Sequence, residues 1–205
     1  MAWSPLRSLN VTFADIAAAV RDNDKQRGEP DPAAAFSSTD PADWLIRANQ
    51  GHSIAVAAEG LNQPITLEKG NVPAVAVHGT YFAFWPAILE SGGLRPMGRN
   101  QVHLATGVPE TANPDAPRVL SGMRRDAELL IYVDVERSLR DDAMKWWMSE
   151  NGVVLTEGDK DGLVPTTYFK EVVGRSRDVG VLFKDGYQLA DLPPGTKAGP
   201  LVNRV

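Results

Sequence analysis

The sequence predicts an α+β fold, and three observations carry that prediction. Apolar residues at helical spacing are confined to short stretches, Phe13 to Val20 and Phe82 to Ser91. Strand-like apolar runs recur at Asp43 to Val56, Val72 to Val77 and Leu129 to Val135. Asn151-Gly152 lies between two apolar segments, Lys145 to Ser149 and Val153 to Thr156, as a hairpin turn does, because Asn-Gly readily takes the positive φ angles of a tight turn.

Length and composition set the limits. A chain of 205 residues with 43% hydrophobic content fits one domain, or a domain with a small lobe, and can fill a core of that size. A net charge of -5 and a pI near 5.2 argue against sequence-blind coating of nucleic acid. A local arginine cluster could still seat one phosphate. Cysteine is absent, which excludes disulfides, thiolate zinc sites and a cysteine nucleophile. No apolar run is long enough to span a bilayer, and no signal-peptide pattern is present. The expectation is therefore an intracellular protein, in cytoplasm or nucleus, not secreted and without a membrane partner.

Each element follows in order. Thr12 and Asp15 form a capping-box-like start to a short helix carrying Phe13, Ile16, Ala17 and Val20 on one face. From Gly28 to Pro41 the composition shifts to Pro, Ala, Ser and Asp, as in a flexible connector. The stretch Asp43 to Val56, DWLIRANQGHSIAV, is the densest in polar chemistry: an extended pattern points Arg47, Asn49 and Gly51 one way, with His52 and Ser53 close behind. An edge strand with polar residues facing water is the alternative. After a loop with a possible strand at Pro64 to Leu67, Val72 to Val77 reads as a buried strand ending in His78-Gly79-Thr80. The imidazole and hydroxyl there can hydrogen-bond a ribose, and Gly79 permits backbone approach to a ligand. A structural histidine at a strand end is the plainer reading.

Phe82 to Ser91 reads as a helix with Pro86 near its start and Gly92-Gly93 at its close, its aromatics Tyr81, Phe82, Phe84 and Trp85 read as core. Leu94 to Ala105 adds Arg95, Arg99 and His103. Two arginines at a turn can hold a pyrophosphate through bidentate hydrogen bonds, or they form a solvated basic loop. Thr106 to Arg118 is a Pro-, Ala- and Asn-rich surface loop. Ser121-Gly122-Met123-Arg124 then leads into the strand at Leu129 to Val135, the Asn-Gly hairpin follows, and Pro165 to Val173 closes the compact region. After Gly174 the composition turns to Gly, Pro and Asp, predicting a largely flexible extension.

Five ordered motifs together carry a resemblance: RANQGHS at Arg47 to Ser53, HGT at His78 to Thr80, GLRPMGRNQVHLA at Gly93 to Ala105, SGMRRDA at Ser121 to Ala127 and ENGVVLTEG at Glu150 to Gly158. The chain resembles the tRNA 2'-phosphotransferase family, its fungal members most of all, over about Val11 to Val173. The resemblance implies a partial winged-helix-like N-terminal lobe with connector at 1–41 and an ADP-ribosyltransferase-like lobe binding NAD at 42–174, followed by the 175–205 extension. It also implies a monomer acting on tRNA or other RNA that bears an internal 2'-phosphate, with NAD as co-substrate and no metal. By similarity, Arg47 and Arg124 belong to the catalytic set. His78, Gly79, Thr80, Arg95, Arg99, Ser121 and Gly122 belong to the NAD side, with His52 and Ser53 near the RNA in the same cleft.

In one respect the pattern departs. The family carries an Arg-His pair in a leucine-rich first helix, and this chain has none; Arg7, within Leu-Arg-Ser-Leu-Asn, is not followed by histidine. The departure leaves three expectations: a 2'-phosphotransferase from an incomplete or shortened gene, an ADP-ribosyltransferase that stops after its first step, or an impaired NAD- or RNA-binding relative.

Overall fold

A computed structural model describes residues 12, 14–15, 18–19, 28–30, 46–48, 62–108 and 122–196, the backbone alone at 28–30 and 46–48. The chain divides into two compact units, Met1–Gly51 and His52–Val205.

In the first unit, Ala14, Asp15, Ala18 and Ala19 are helical, and the expected capping box is formed in both directions. The Asp15 amide donates to the Thr12 hydroxyl at 3.2 Å, while the Asp15 carboxylate accepts from the Thr12 amide at 2.8 Å. These bonds from Thr12 to the ionised carboxylate hold the Asp15 carboxyl below its ordinary range. Strand β1 (Gly28–Pro30) pairs antiparallel with β2 (Ile46–Ala48), with Glu29 opposite Arg47. The connector read from composition therefore begins as a strand. Gly-Glu-Pro has little intrinsic β preference, so the pairing comes from the partner strand, which composition does not report.

The second unit is built on one antiparallel sheet with few and short helices. Its described strands are β3 (Gln63–Ile65), β4 (Val77–Thr80), β6 (Val102–Ala105), β7 (Leu129–Val133), β8 (Trp146–Met148), β9 (Val153–Thr156), β11 (Phe169–Gly174), β12 (Val181–Lys184) and β13 (Tyr187–Gln188). They lie in the order β13-β12-β11-β7-β4-β6-β9-β8-β3, so β4 sits centrally between β7 and β6. A separate pair joins β5 (Gly93–Leu94) to β10 (Val164–Pro165). Helix α1 (Trp85–Glu90) follows a 3-10 turn at Phe82–Phe84 and has Pro86 in its first turn, where a missing N–H breaks no helical bond. Helix α2 (Val135–Arg140) is capped by the Asp134 carboxylate, which accepts the Arg137 amide at 2.9 Å.

Both faces of the sheet are covered. On one, Trp85, Leu104, Ile131, Trp146, Val154, Phe169 and Phe183 join the main core, and Phe183 meets Trp85 and Phe169 edge-on at 6.0 and 5.8 Å. The buried Trp146 indole N–H donates to the Ser138 hydroxyl at 2.7 Å. On the other face, Trp147 packs with Val153 and Leu155, and Val77 with Ala105 and Leu130. Of the aromatics after β4, Phe82 and Trp85 are core, whereas Phe84 is exposed and Tyr81 is half-buried.

The residues after Gly174 do not behave as a flexible extension through this region. Leu182 and Phe183 are buried, and β12 adds to the sheet edge at β11. Asp185 and Gly186, at φ 50 and 87, make the two-residue turn between Lys184 and Tyr187. Positive φ at both positions matches the right-handed twist of paired strands, and Asp-Gly supplies it.

Candidate active site

His78, Gly79 and Thr80 lie within β4 rather than beyond its end, and the loop from Gly122 to Glu128 folds across β4 and β6. Two glycines make that crossing possible. A Cβ on Gly79 would stand 2.4 Å from Met123 Cγ and 2.9 Å from Ala127 Cβ, so Met123 takes the space a side chain would need. A Cβ on Gly122 would stand 2.8 Å from the Leu104 carbonyl oxygen and 3.0 Å from Ala105 Cα. Gly122 also adopts φ +92, a conformation that L side chains resist. The close approach each glycine permits on its Cβ side is therefore to protein.

The far end of the loop is tied to β4. The Glu128 amide donates to the Thr80 carbonyl at 2.8 Å, and the Glu128 carboxylate accepts the Phe82 amide at 3.1 Å. Behind it, Arg175 donates its backbone N–H to the Glu128 carbonyl at 2.7 Å and its Nη1 to the Arg125 carbonyl at 2.8 Å. Nothing in the sequence pattern had marked Arg175 or Glu128, because their role is to hold backbone from a distance in the chain.

The loop thus delivers Arg124 to the end of β4. Its guanidinium lies 5.5 Å from the Tyr81 ring centroid, with Nη1 3.5 Å from the phenol oxygen, and the Tyr81 hydroxyl donates to Asp126 at 2.7 Å. Arg124 is exposed and remains positioned to meet an anion from solvent.

His78, half-buried in β4, feels the charge of this group. Its Nδ1 lies 2.9 Å from the His103 carbonyl oxygen, which can only accept, so Nδ1 carries the proton and Nε2 holds the lone pair. Burial pushes the His78 pKa below its ordinary value; the His103 carbonyl opposes this, and the Arg124 charge adds to the lowering. The imidazole is therefore neutral at pH 7. A depressed histidine pKa means that the unfolded chain binds the proton first as pH falls. Stability is then full above the unfolded value, about 6.5, and declines below it. Urea titrations of the parent and His78→Gln at about pH 7.5 and 5.5 should show the smaller acid loss in the variant. Equal losses would contradict the assignment.

Other expected site residues fall elsewhere. Arg95 donates Nη1 to the Asp161 carbonyl at 2.8 Å, bracing the loop after β9, and Arg99 lies exposed on the turn before β6. His103 is in β6, with its Nδ1 2.9 Å from the Gln101 carbonyl. Arg47 is on β2 in the first unit, and its side chain lies outside the described residues, as do His52, Ser53 and Ser121. Among the described residues, no group of three or more His, Asp or Glu side chains could hold a metal ion.

An exposed guanidinium held at the end of a central strand can meet an anion such as a phosphate through its planar fork. Residues 1–158 match the family model described as "RNA 2'-phosphotransferase, Tpt1 / KptA family". The chain is similar to tRNA 2'-phosphotransferase 1 of Danio rerio, 39% identical over 169 residues, which are 82% of this chain and 68% of the relative. It is also similar to tRNA 2'-phosphotransferase 1 of Homo sapiens, 38% identical over 160 residues (78% of this chain, 57% of the relative). The Saccharomyces cerevisiae tRNA 2'-phosphotransferase is 32% identical over 170 residues (82% and 66%). The chain belongs to the RNA 2'-phosphotransferase family. It spans 57 to 68% of the length of the vertebrate relatives it matches.

Proposed function

We propose that this protein is an NAD-dependent RNA 2'-phosphotransferase that removes the splice-junction 2'-phosphate from ligated tRNA. Family membership supports the reaction class. The observation that carries it onto particular residues is the Gly122 to Glu128 loop, which crosses β4 and sets the Arg124 guanidinium over Tyr81 at the end of that strand. We also infer that residues 42–174 form an ADP-ribosyltransferase-like lobe and residues 1–41 part of a winged-helix-like one, the protein acting as a monomer in cytoplasm or nucleus.

The chemistry asks for charge stabilisation more than for covalent help. An oxygen of the RNA 2'-phosphate attacks the ribose carbon bearing nicotinamide, forming a C–O bond as the C–N bond breaks and nicotinamide leaves with the electron pair. The neighbouring ribose hydroxyl then attacks phosphorus. The bond from phosphorus to the RNA 2'-oxygen breaks, that oxygen takes a proton, and ADP-ribose 1'',2''-cyclic phosphate departs. A phosphate dianion is a competent nucleophile once it is placed, so positioning and electrostatics dominate. Arg124, with Arg47, is assigned the grip on that phosphate, because a guanidinium stays charged and offers a planar fork.

The residues present suit NAD as the co-substrate. A His78 held as the Nδ1–H tautomer offers Nε2 as an acceptor for a ribose hydroxyl, and its neutrality adds no repulsion toward oxocarbenium character at the reacting sugar. Gly79, Thr80, Arg95, Arg99, Ser121 and Gly122 complete the assigned NAD side, with His52 and Ser53 toward the RNA.

The test is incubation of the chain with NAD and an oligonucleotide carrying one internal 2'-phosphate. Nicotinamide and ADP-ribose cyclic phosphate should appear together, and neither should form from the 2'-hydroxyl oligonucleotide. Label from NAD that stays on RNA would mark an enzyme halted after the first step. Binding of NAD with no nicotinamide release would reject turnover altogether.

A further inference from the structure

We infer that Tyr81 is a positioning residue for Arg124: its ring and hydroxyl fix the guanidinium in the orientation that meets the RNA 2'-phosphate. The inference rests on the proposed role of Arg124 as a phosphate grip. An exposed arginine on a loop samples many rotamers, and a fork that must meet two phosphate oxygens at once gains nothing from most of them.

Tyr81 narrows that choice from two directions. Its ring lies under the guanidinium at 5.5 Å, which favours a stacked plane, and its oxygen stands 3.5 Å from Nη1. Donation from the hydroxyl to Asp126 at 2.7 Å makes that oxygen the better acceptor toward Arg124. Asp126 belongs to the same loop as Arg124, so loop, phenol and guanidinium close a ring of contacts.

The tyrosine is itself fixed. The residues on either side of it, Thr80 and Phe82, are both bonded to Glu128 at 2.8 and 3.1 Å, and Phe84 packs edge-on against its ring at 5.9 Å. Of the five guanidinium N–H groups, the phenol contact engages one, so a two-pronged grip on phosphate stays geometrically open.

Fluorescence anisotropy with the full chain tests this, using one RNA oligonucleotide with an internal 2'-phosphate and its 2'-hydroxyl counterpart. The parent should prefer the phosphorylated strand. Tyr81→Leu should cut that preference about 3- to 5-fold, while affinity for the 2'-hydroxyl strand stays unchanged. In turnover assays the RNA KM should rise with the NAD KM unmoved. Tyr81→Phe, which keeps the ring and loses the hydroxyl, should weaken the preference less than Tyr81→Leu does, and Asp126→Asn should weaken it without disturbing the ring, giving a second reading if Tyr81→Leu does not fold. A parental preference that survives intact in Tyr81→Leu, or in Asp126→Asn and Tyr81→Phe together, overturns the positioning role alone. A parent with no preference for the phosphorylated strand overturns the Arg124 grip, and this inference with it.

Discussion

Arg124→Lys is expected to lose roughly 10²- to 10³-fold in kcat for release of ADP-ribose cyclic phosphate, the scale set by removing one preorganised donor from a developing charge. Positive charge alone does not carry the role. A lysine ammonium is a compact point charge on a flexible stem; it cannot stack flat on the Tyr81 ring or present two parallel N–H groups to a phosphate. Folding stability should barely move, within about 0.5 kcal/mol, because the side chain is exposed and its packing is confined to the surface. Thermal unfolding and single-turnover kinetics measured on the same preparation separate the two effects. Arg125→Lys, one residue along the same loop, is the control, with a loss well below that of Arg124→Lys. Parent-like turnover in Arg124→Lys would remove Arg124 from the reaction and leave the loop as packing alone.

What was legible in the sequence follows the range over which each feature is decided. The Thr12–Asp15 capping box and the Trp146–Met148 and Val153–Thr156 hairpin are set by residues three to six apart, and both are formed. Even so, in the hairpin turn Gly152 alone takes positive φ, at 74, since the Ser149 hydroxyl and carbonyl close a longer loop than an Asn-Gly turn needs. The Asp185-Gly186 turn carried the same local signal as any hairpin. It lies in a segment whose overall Gly, Pro and Asp content points to a flexible extension. Helix α2 was hidden for a related reason: its apolar start, Val135, continues the run of β7, and the boundary is a single capping aspartate.

For the site, the residue types were readable and their arrangement was not. HGT and SGMRRDA stand over forty residues apart, and no periodicity says that Met123 lies on Gly79 or that Gly122 lies on Leu104. From the sequence, Gly79 reads as an opening for a ligand and Gly122 belongs to the NAD side by resemblance alone. Their Cβ sides are closed by the crossing loop, and their function in the fold is to let Arg124 reach the end of β4. In the sequence Tyr81 groups with the core as part of an aromatic run in which Phe82 and Trp85 are indeed buried. Its position at the strand end, held on both sides by Glu128, turns it toward Arg124 instead.

That crossing makes Gly122→Ala the substitution with the largest expected effect on stability. Two terms add at this position. A non-glycine residue at positive φ costs about 1–2 kcal/mol, and a Cβ 2.8 Å from the Leu104 carbonyl oxygen meets backbone of a central strand, which cannot rotate away. Forcing a close-packed neighbour to shift costs about 1–3 kcal/mol more. The sum, roughly 2–5 kcal/mol, should lower Tm by about 5–15 °C for a unit of this size. Gly152→Ala isolates the first term, since Gly152 has φ +74 and open space where its Cβ would go; its loss should stay near 1–2 kcal/mol. Turnover should separate the pair further. Relief of the Gly122 clash lifts the loop from β6 and carries Arg124 away from Tyr81, so kcat/KM should fall at least about 10-fold below that of Gly152→Ala at a temperature where both variants are folded. If the two variants instead unfold and turn over alike, the approach of Gly122 to Leu104 is not what sets Arg124 in place.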